Sequence, residues 1–149
     1  MRAVIQRVAH ASVEVDGRTT GSIAKGLLVL LGAGKEDTDK DLDYVLEKTL
    51  NLRIFPDEQG KMNLSLLDIQ GELLVVSQFT LYGDARKGRR PSFISAMHPE
   101  PAEAMYERFV EKASARGITV QTGEFGAMMN VTLLNHGPVT ILLDSTKLF

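Results

Sequence analysis

The residue types that could carry out catalysis in this chain are few. It has no cysteine and three histidines, His10, His98 and His136. None of these histidines stands at metal-ligand spacing from another ligand, so the sequence predicts no metal site. The lack of cysteine excludes disulfides, thiolate ligands and a cysteine nucleophile. We therefore expect an activity that uses neither a metal nor a cofactor.

Familiar catalytic constellations are also missing. Ser77, His136 and Asp144 could be drawn as a triad, but their spacing does not support it, and Ser77 lacks the glycine-flanked turn of a nucleophile elbow. Thr80 could be a nucleophile, yet no activating base accompanies it in the sequence. The glycines of Gly32-Ala33-Gly34-Lys35 do not have the spacing of a nucleotide-binding fingerprint. Side-chain catalysis of a known type is not predicted.

Two other segments lie where strands are expected to end. Ser77-Gln78-Phe79-Thr80 closes a strand predicted over Glu72 to Thr80, and its backbone N–H groups can point into a cleft. Gly137-Pro138 lies between two apolar runs, residues 131–134 and 139–143, which both read as strands. A Gly-Pro pair is normally a turn, and an X-Pro bond is where a cis peptide costs little. Ordinary strand-end hydrogen bonding and a plain turn are the simplest interpretations of these two segments.

One dense basic cluster interrupts an otherwise slightly acidic chain, whose formal net charge is −2. A protein that binds nucleic acid over its whole surface is usually basic, so any RNA contact here should be confined to a small part of the surface. A phosphate-binding loop and a solvated loop are both compatible with this cluster, which comprises Arg86, Lys87, Arg89 and Arg90.

The elements that must position these residues follow from periodicity and turn signals. Asp16-Gly17 is typical of a tight hairpin. Apolar residues on one face predict helices over residues 37–52 (Leu42, Val45, Leu46 and Leu50) and about 101–115 (Met105, Phe109, Val110 and Ala113). Strands are predicted over residues 4–8, 11–15, 18–23, 26–31, 72–80, 118–120, 127–134 and 139–143.

These elements predict one α+β domain spanning residues 1–149, rich in strands and with two main helices. With 44% hydrophobic and 24% charged residues and no apolar run long enough for a membrane span, the composition is that of a globular protein. The N-terminus does not look like a secretion signal, and we expect a cytoplasmic location. Because the strands outnumber what two helices can cover, an exposed sheet face should make the protein a homodimer.

Several motifs together resemble those of the D-aminoacyl-tRNA deacylases, over nearly the whole chain. The two signature segments are Ser77 to Asp84 and Asn135 to Thr140. Met1 to Val8 resembles the family's N-terminal strand, and residues 86–93 its basic loop; residues 122–129 and 142–145 match its C-terminal strands. One departure is His136, where the family usually has aspartate before the Gly-Pro pair.

The resemblance implies a fold, an activity and partners. It implies a deacylase-like α+β homodimer that hydrolyses the ester joining a D-amino acid to tRNA, and it implies that mischarged glycyl-tRNA would also be hydrolysed. An aminoacyl ester is already activated and the neighbouring sugar hydroxyl can assist water, so positioning and backbone donors would suffice. The expected partners are D-aminoacyl-tRNA and a second copy of the chain, with neither a membrane nor DNA.

The resemblance also assigns roles to residues. The catalytic segment would be Ser77 to Thr80 (Ser77, Gln78, Phe79 and Thr80), and a cis Gly137-Pro138 pair would enter the partner's site and exclude L-amino acids by its two carbonyl groups. Arg7, whose simpler interpretation is an exposed strand residue, would steady that pair. Phe125 and Met129 would support the pocket. Of the adjacent pair Met128 and Met129, one side chain should face the core. Contacts to tRNA would come from Arg86, Lys87, Arg89 and Arg90.

Two other classes of function compete with this interpretation. One is a non-catalytic RNA-binding module that uses the basic loop, although only 6% of residues are aromatic and none is tryptophan. The other is an oligomeric small-molecule binding protein, or a hydrolase of small metabolites, with pockets between subunits. Release of the amino acid from D-aminoacyl-tRNA is predicted by the deacylase interpretation alone.

Overall fold

The computed structural model of the protein describes residues 1–149. It contains eight strands, two α-helices and one short 3-10 helix. In chain order these are β1 (Arg2–Val15), β2 (Arg18–Ile23), β3 (Gly26–Gly32), α1 (Asp39–Asn51), β4 (Phe55–Pro56), β5 (Met62–Leu64), β6 (Glu72–Ser77), the 3-10 helix (Phe79–Tyr82), α2 (Pro99–Ser114), β7 (Val120–Thr122) and β8 (Asn130–Asp144).

The long strand β1 organises the sheet. Its first half pairs with β3 and its second half with β2, while β8 follows nearly all of its other edge. The sequence predicted two separate strands here, which is wrong. The ladder with β8 shifts register between Gln6 and Val8 and again between Val8 and Ala11, and such irregularities disturb the alternation of buried and exposed residues while the strand continues.

The main sheet has the order β2-β1-β3-β6-β7, with β8 beside β1. Strands β3, β6 and β7 run parallel, since a helix lies between each pair in the chain, whereas β1 pairs antiparallel with its three neighbours. The hairpin between β1 and β2 turns at Asp16 and Gly17, both at positive φ, as the sequence predicted. This mixed sheet with helices confirms the predicted α+β class.

Two hydrophobic clusters fill the molecule. The larger lies between the sheet and the helices and includes Ile5, Leu27, Phe55 and Phe109. The smaller is formed by residues of the opposite sheet face, such as Val13, Leu28 and Leu74, and it is covered partly by β8 residues. The strand β8 has no partner on its far edge, and its side chains alternate between half-buried and exposed.

The helices bury the predicted faces. In α1, Leu42, Val45, Leu46 and Leu50 are all buried, and the capping box between Thr38 and Asp41 makes the helix begin two residues later than predicted. In α2, Met105, Phe109 and Ala113 are buried, whereas Val110 is only half-buried. Neither helix has the length and apolar character needed to span a membrane.

Candidate functional site

The segment Ser77 to Thr80 leaves the sheet abruptly. Ser77 ends β6, and the Gln78 N–H donates to the Leu31 carbonyl at 2.8 Å. The chain then turns into the 3-10 helix. The prediction that the strand continues to Thr80 is therefore wrong for its last three residues. Its partner β3 ends at Gly32, so the ladder cannot continue beyond Gln78.

The side chains of this segment do not assemble a nucleophile with a base. Phe79 and Thr80 are exposed, whereas Ser77 and Gln78 are half-buried. The Thr80 hydroxyl accepts a hydrogen bond from the Gln78 side-chain amide, which is not a base. The first N–H groups of a helical turn have no intrahelical acceptor, and here they belong to Phe79 and Thr80. The groups that this segment can offer for catalysis are therefore its backbone N–H donors.

Arg2 ties the 3-10 helix to the end of β8, a role that the sequence did not reveal. Its Nη1–H donates to the Leu81 carbonyl at 2.9 Å and its Nε–H to Asp144 Oδ2 at 2.8 Å. Its guanidinium lies 4.5 Å from the centre of the Tyr82 ring. Burial alone would raise the pKa of Asp144, but hydrogen bonds from Thr146 and Arg2 outweigh burial, so the pKa is lowered. Asp144 is therefore a structural anion.

Tyr82 closes the inner side of the same network. Its hydroxyl donates to Asp37 Oδ2 at 3.1 Å, and Asp37 also receives the Met1 ammonium at 2.5 Å. Burial, and then the Asp37 charge, raise the pKa of Tyr82 above its ordinary value. A cavity of about 310 Å³ opens beside this network, and its lining includes Asp37, Tyr82, Arg2, Lys35 and Ile94. The spacing of Arg2, Asp37 and Tyr82 in the sequence gives no signal of this contact.

Gly137 and Pro138 form a bulge in β8 and do not make a hairpin turn between two strands. The register passes from Gln6–Thr140 to Val8–Asn135, so β8 holds three extra residues at this point. The peptide between Gly137 and Pro138 is cis, and both residues are exposed. The two predicted strands are thus halves of one strand, because both pair with the same partner β1.

The Asn135 side chain holds the base of this bulge together. Its Oδ1 accepts the Val139 N–H at 3.0 Å, while its Nδ2–H donates to the Val139 carbonyl at 3.3 Å and lies 3.3 Å from Thr140 Oγ1. These bonds replace the ladder bonds that β1 cannot supply to the extra residues. The sequence analysis placed Asn135 in a signature segment but gave its side chain no role, although asparagine side chains often bond nearby backbone groups in turns.

Arg7 supports the bulge from within the protein. It is only 7% exposed, so the simpler interpretation of an exposed strand arginine is wrong. Its Nε–H donates to the His136 carbonyl at 2.9 Å and its Nη1–H to the Ile54 carbonyl at 2.6 Å. A Cβ added at Gly137, whose φ is +129°, would lie 2.7 Å from Arg7 Nη2. Arg7 donates its hydrogen bond to the main-chain carbonyl of His136, so this hydrogen bond does not depend on which side chain position 136 carries.

Within one chain, the bulge and the segment Ser77 to Thr80 are far apart. The segment leaves β6 level with Arg2 and Ala3, where β1 begins, and β3 lies between these two strands; the bulge faces residues 6–8 of β1 from its opposite edge. A strand rises about 3.3 Å per residue, so the two segments are separated by roughly 15 Å along β1 alone. At this separation the bulge does not reach its own chain's segment.

The remaining predicted site residues take different places. Phe125 lies in a loop before β8 with its ring 5.9 Å from that of Tyr106, in the helix-side cluster. Met129 packs against the other cluster, and Gly123 leaves room for its sulfur. Met128 is 90% exposed, so the adjacent methionines face opposite sides as predicted. The strand predicted from residue 127 begins only at Asn130.

The basic loop Arg86 to Arg90 projects between Asp84 and Ser92, which pair through two backbone hydrogen bonds of 2.8 and 2.9 Å. All four cations are exposed. Arg86 differs from the others because it forms a two-point ion pair with Asp84, at 2.8 and 2.6 Å. The hydrogen bonds from Arg86 hold the pKa of Asp84 well below its usual range.

The triad of Ser77, His136 and Asp144 is not assembled. Asp144 is engaged with Arg2 and Thr146, and it lies eight residues from His136 along the same strand. At about 3.3 Å per residue, their separation is on the order of 20 Å even with the bulge. No three side chains of His, Cys, Asp or Glu converge as a metal site requires.

Comparison with known proteins gives a consistent picture. The sequence profile of the family described as D-Tyr-tRNA(Tyr) deacylase matches residues 4–144. A protein of Thermosipho africanus named D-aminoacyl-tRNA deacylase is 63% identical over 149 residues, covering 100% of both chains. A solved structure titled c-Myc DNA Unwinding Element Binding Protein is similar with a TM-score of 0.91 and 46% identity, covering 97% of this chain and 98% of that one. A probable eukaryotic D-amino acid tRNA deacylase shares the fold, with a TM-score of 0.82 at 20% identity, covering 95% and 97%.

Proposed function

This chain belongs to the D-Tyr-tRNA(Tyr) deacylase family, whose members are hydrolases of aminoacyl-tRNA esters, and from that premise we propose that it hydrolyses D-aminoacyl-tRNAs. Water attacks the ester carbonyl, and the products are the free D-amino acid and tRNA. The family match over residues 4–144 carries this proposal. The direct test is release of labelled amino acid from D-tyrosyl-tRNA and D-aspartyl-tRNA. No release above the spontaneous rate would reject the proposal.

We propose that the tRNA supplies the chemistry that the side chains lack. The Thr80 hydroxyl accepts a hydrogen bond from the Gln78 side-chain amide, and this amide cannot act as a base. In the proposed mechanism, backbone N–H groups of the segment Ser77 to Thr80 stabilise the developing oxyanion, and the sugar hydroxyl next to the ester assists water. A tRNA ending in 2′-deoxyadenosine should then not be hydrolysed, whereas Thr80→Ala should retain most activity. Full turnover of the deoxy substrate would show that the protein itself provides catalysis.

The exposed bulge at Gly137 and Pro138 is the proposed chiral filter, acting on the neighbouring subunit of a homodimer. Its separation of roughly 15 Å along β1 from the same chain's Ser77 segment supports action between subunits. Two backbone carbonyl groups would fill the space that an L side chain needs, so rejection comes from a clash. D-amino acids of different size should all be accepted, L-amino acids should be refused, and glycine, without a side chain, should be hydrolysed to some degree.

A mixing experiment tests the shared site. Gly137→Ala should damage the filter, and Phe79→Pro should damage the catalytic segment by removing a backbone N–H. The Gly137→Ala homodimer should lose D-ester selectivity, and the Phe79→Pro homodimer should lose hydrolysis. A heterodimer with one Gly137→Ala subunit and one Phe79→Pro subunit should regain one intact site of two, and hence about half the selective activity of the wild type. A heterodimer without recovered activity, or an active monomer in sedimentation velocity, would exclude a site shared between subunits.

The competing functions make different predictions for the same assays. An RNA-binding module would bind D-aminoacyl-tRNA without hydrolysing it. A hydrolase of small metabolites would not require the tRNA part of the substrate. The expected lack of DNA binding is tested by competition between tRNA and duplex DNA for the protein. We further propose that the protein acts in the cytoplasm, where tRNA is charged, which fractionation of cells would test.

A further inference from the structure

Two exposed phenylalanines stand next to the basic loop. Phe79 is 58% exposed and Phe93 is 36% exposed, and their rings meet edge to face with centroids 5.1 Å apart. Large aromatic side chains contribute most to stability when buried, so a pair left in solvent offers a surface for a ligand. Sequence reasoning found too few aromatics for RNA stacking, but the fold brings these two together from positions fourteen residues apart.

The local backbone holds this pair in place. The Asp84–Ser92 pairing closes the basic loop, which sets Phe93 directly beside the 3-10 helix that begins at Phe79. Gly83 allows this approach, since a Cβ there would lie 3.0 Å from Phe93 Cε1. The ring of Phe93 thus packs against Phe79 and Gly83 before any ligand arrives, which lowers the entropy cost of stacking on it.

Three cations that form no ion pair lie in the loop between Asp84 and Ser92, which leads directly into Phe93. Asp84 engages Arg86, whereas Lys87, Arg89 and Arg90 take part in none of the protein's ion pairs. The chain as a whole is slightly acidic, so this local positive charge is not part of a general basic surface. Aromatic rings beside unpaired cations match the needs of single-stranded nucleic acid, whose bases stack and whose phosphates attract cations.

We propose that Phe93, braced by Phe79, stacks a base of the single-stranded 3′ end of tRNA that precedes the terminal adenosine, while Lys87, Arg89 and Arg90 hold the adjoining phosphates. This inference rests on the proposed deacylase function and adds to it a second contact, outside the ester site. It makes the enzyme favour an ester on an intact tRNA end over the same ester on adenosine alone.

The test compares two substrates, D-tyrosyl-tRNA and the D-tyrosyl ester of adenosine. In Phe93→Leu, the ratio of kcat/KM for tRNA to kcat/KM for the adenosine ester should fall about tenfold, since one stacked base is worth on the order of 1–3 kcal/mol. Phe149→Leu removes another exposed ring, at the C-terminus, and should leave the ratio unchanged. A ratio in Phe93→Leu equal to that of the wild type would overturn the inference, whether both substrates fall together or neither does.

Salt dependence tests the phosphate contacts separately. The slope of log Kd for uncharged tRNA against log salt should decrease by about one for each contact removed in Arg89→Gln and Arg90→Gln. Arg18→Gln, which removes an exposed arginine on β2, should not change it. A tRNA lacking its single-stranded end should bind the wild type and Phe93→Leu equally. Unequal binding of that shortened tRNA, or salt slopes that do not change in the arginine variants, would overturn the inference. Dissociation of Phe93→Leu into monomers would also overturn it, because the aromatic pair would then belong to the contact with a second copy of the chain.

These outcomes are separable from failure of the proposed function. If the wild type hydrolyses neither substrate, the deacylase proposal fails. If it hydrolyses both, but the Phe93→Leu ratio is unchanged, only the stacking contact fails.

Discussion

Replacing Arg7 by methionine should destabilise the protein and loosen the bulge at Gly137 and Pro138. The guanidinium is buried, it is in none of the ion pairs, and its two defined partners are the carbonyls of His136 and Ile54. Methionine is unbranched and flexible, so it can fill most of the same space. The main change is therefore the loss of two hydrogen bonds made by a charged donor.

The expected magnitude follows from those two bonds. A hydrogen bond to a charged group contributes about 1.5–3 kcal/mol, so two contribute about 3–6 kcal/mol. Removing the guanidinium also removes the cost of burying its charge, which offsets part of this loss. We expect Arg7→Met to lower the free energy of unfolding by about 2–4 kcal/mol. Arg7→Lys can still reach one of the two carbonyls and should lose about half as much.

Two measurements check this expectation. Urea unfolding at one fixed protein concentration gives the free energies for the wild type, Arg7→Met and Arg7→Lys. The matched control is Gln6→Met on the same strand, because the half-buried Gln6 makes only a weak 3.4 Å bond to Thr140. The second measurement is the ratio of kcat/KM for D-tyrosyl-tRNA to that for L-tyrosyl-tRNA, which should fall in Arg7→Lys while the protein remains folded.

Two results would refute this reasoning. If Arg7→Met unfolds within about 0.5 kcal/mol of the wild type, as an ordinary surface substitution does, the two bonds do not stabilise the fold. If Arg7→Lys is destabilised but keeps the full preference for the D ester, Arg7 supports the structure without setting the position of the bulge.

Three further predictions concern other parts of the molecule. Gly137→Ala should lower both stability and D-ester selectivity, since its Cβ would stand 2.7 Å from Arg7 Nη2 at a φ of +129°; unfolding and release assays check this. Burial raises the pKa of Tyr106 to about 12, so the neutral phenol should add to the free energy of unfolding fully below about pH 10. That contribution should disappear as the pH rises from about 10 to 12, and pH-dependent unfolding of Tyr106→Phe should not show this loss. Lys112→Ala, which breaks the exposed ion pair with Asp43 between the two helices, should cost no more than about 1 kcal/mol, and the cost should shrink in high salt in a double-mutant cycle with Asp43→Ala.

The sequence by itself determined the elements whose signals are local. The helix faces at Leu42, Val45 and Phe109 follow from a repeat of 3.6 residues, and the Asp16-Gly17 hairpin follows from two residues that tolerate positive φ. The sequence also contained the two motif segments that relate the chain to its family. Each of these depends on residues within a few positions of one another.

The tertiary structure decided what depends on a distant partner. Strand β1 alone joins the two halves of β8 into one strand, and three unmatched residues in that pairing make Gly137 and Pro138 a bulge. The end of β3 stops β6 at Ser77, which the apolar pattern of β6 could not indicate. Burial of Arg7 and the meeting of Phe79 with Phe93 likewise depend on which strands and loops become neighbours. Register between segments far apart in sequence is fixed by the whole sheet, so no local pattern specifies it.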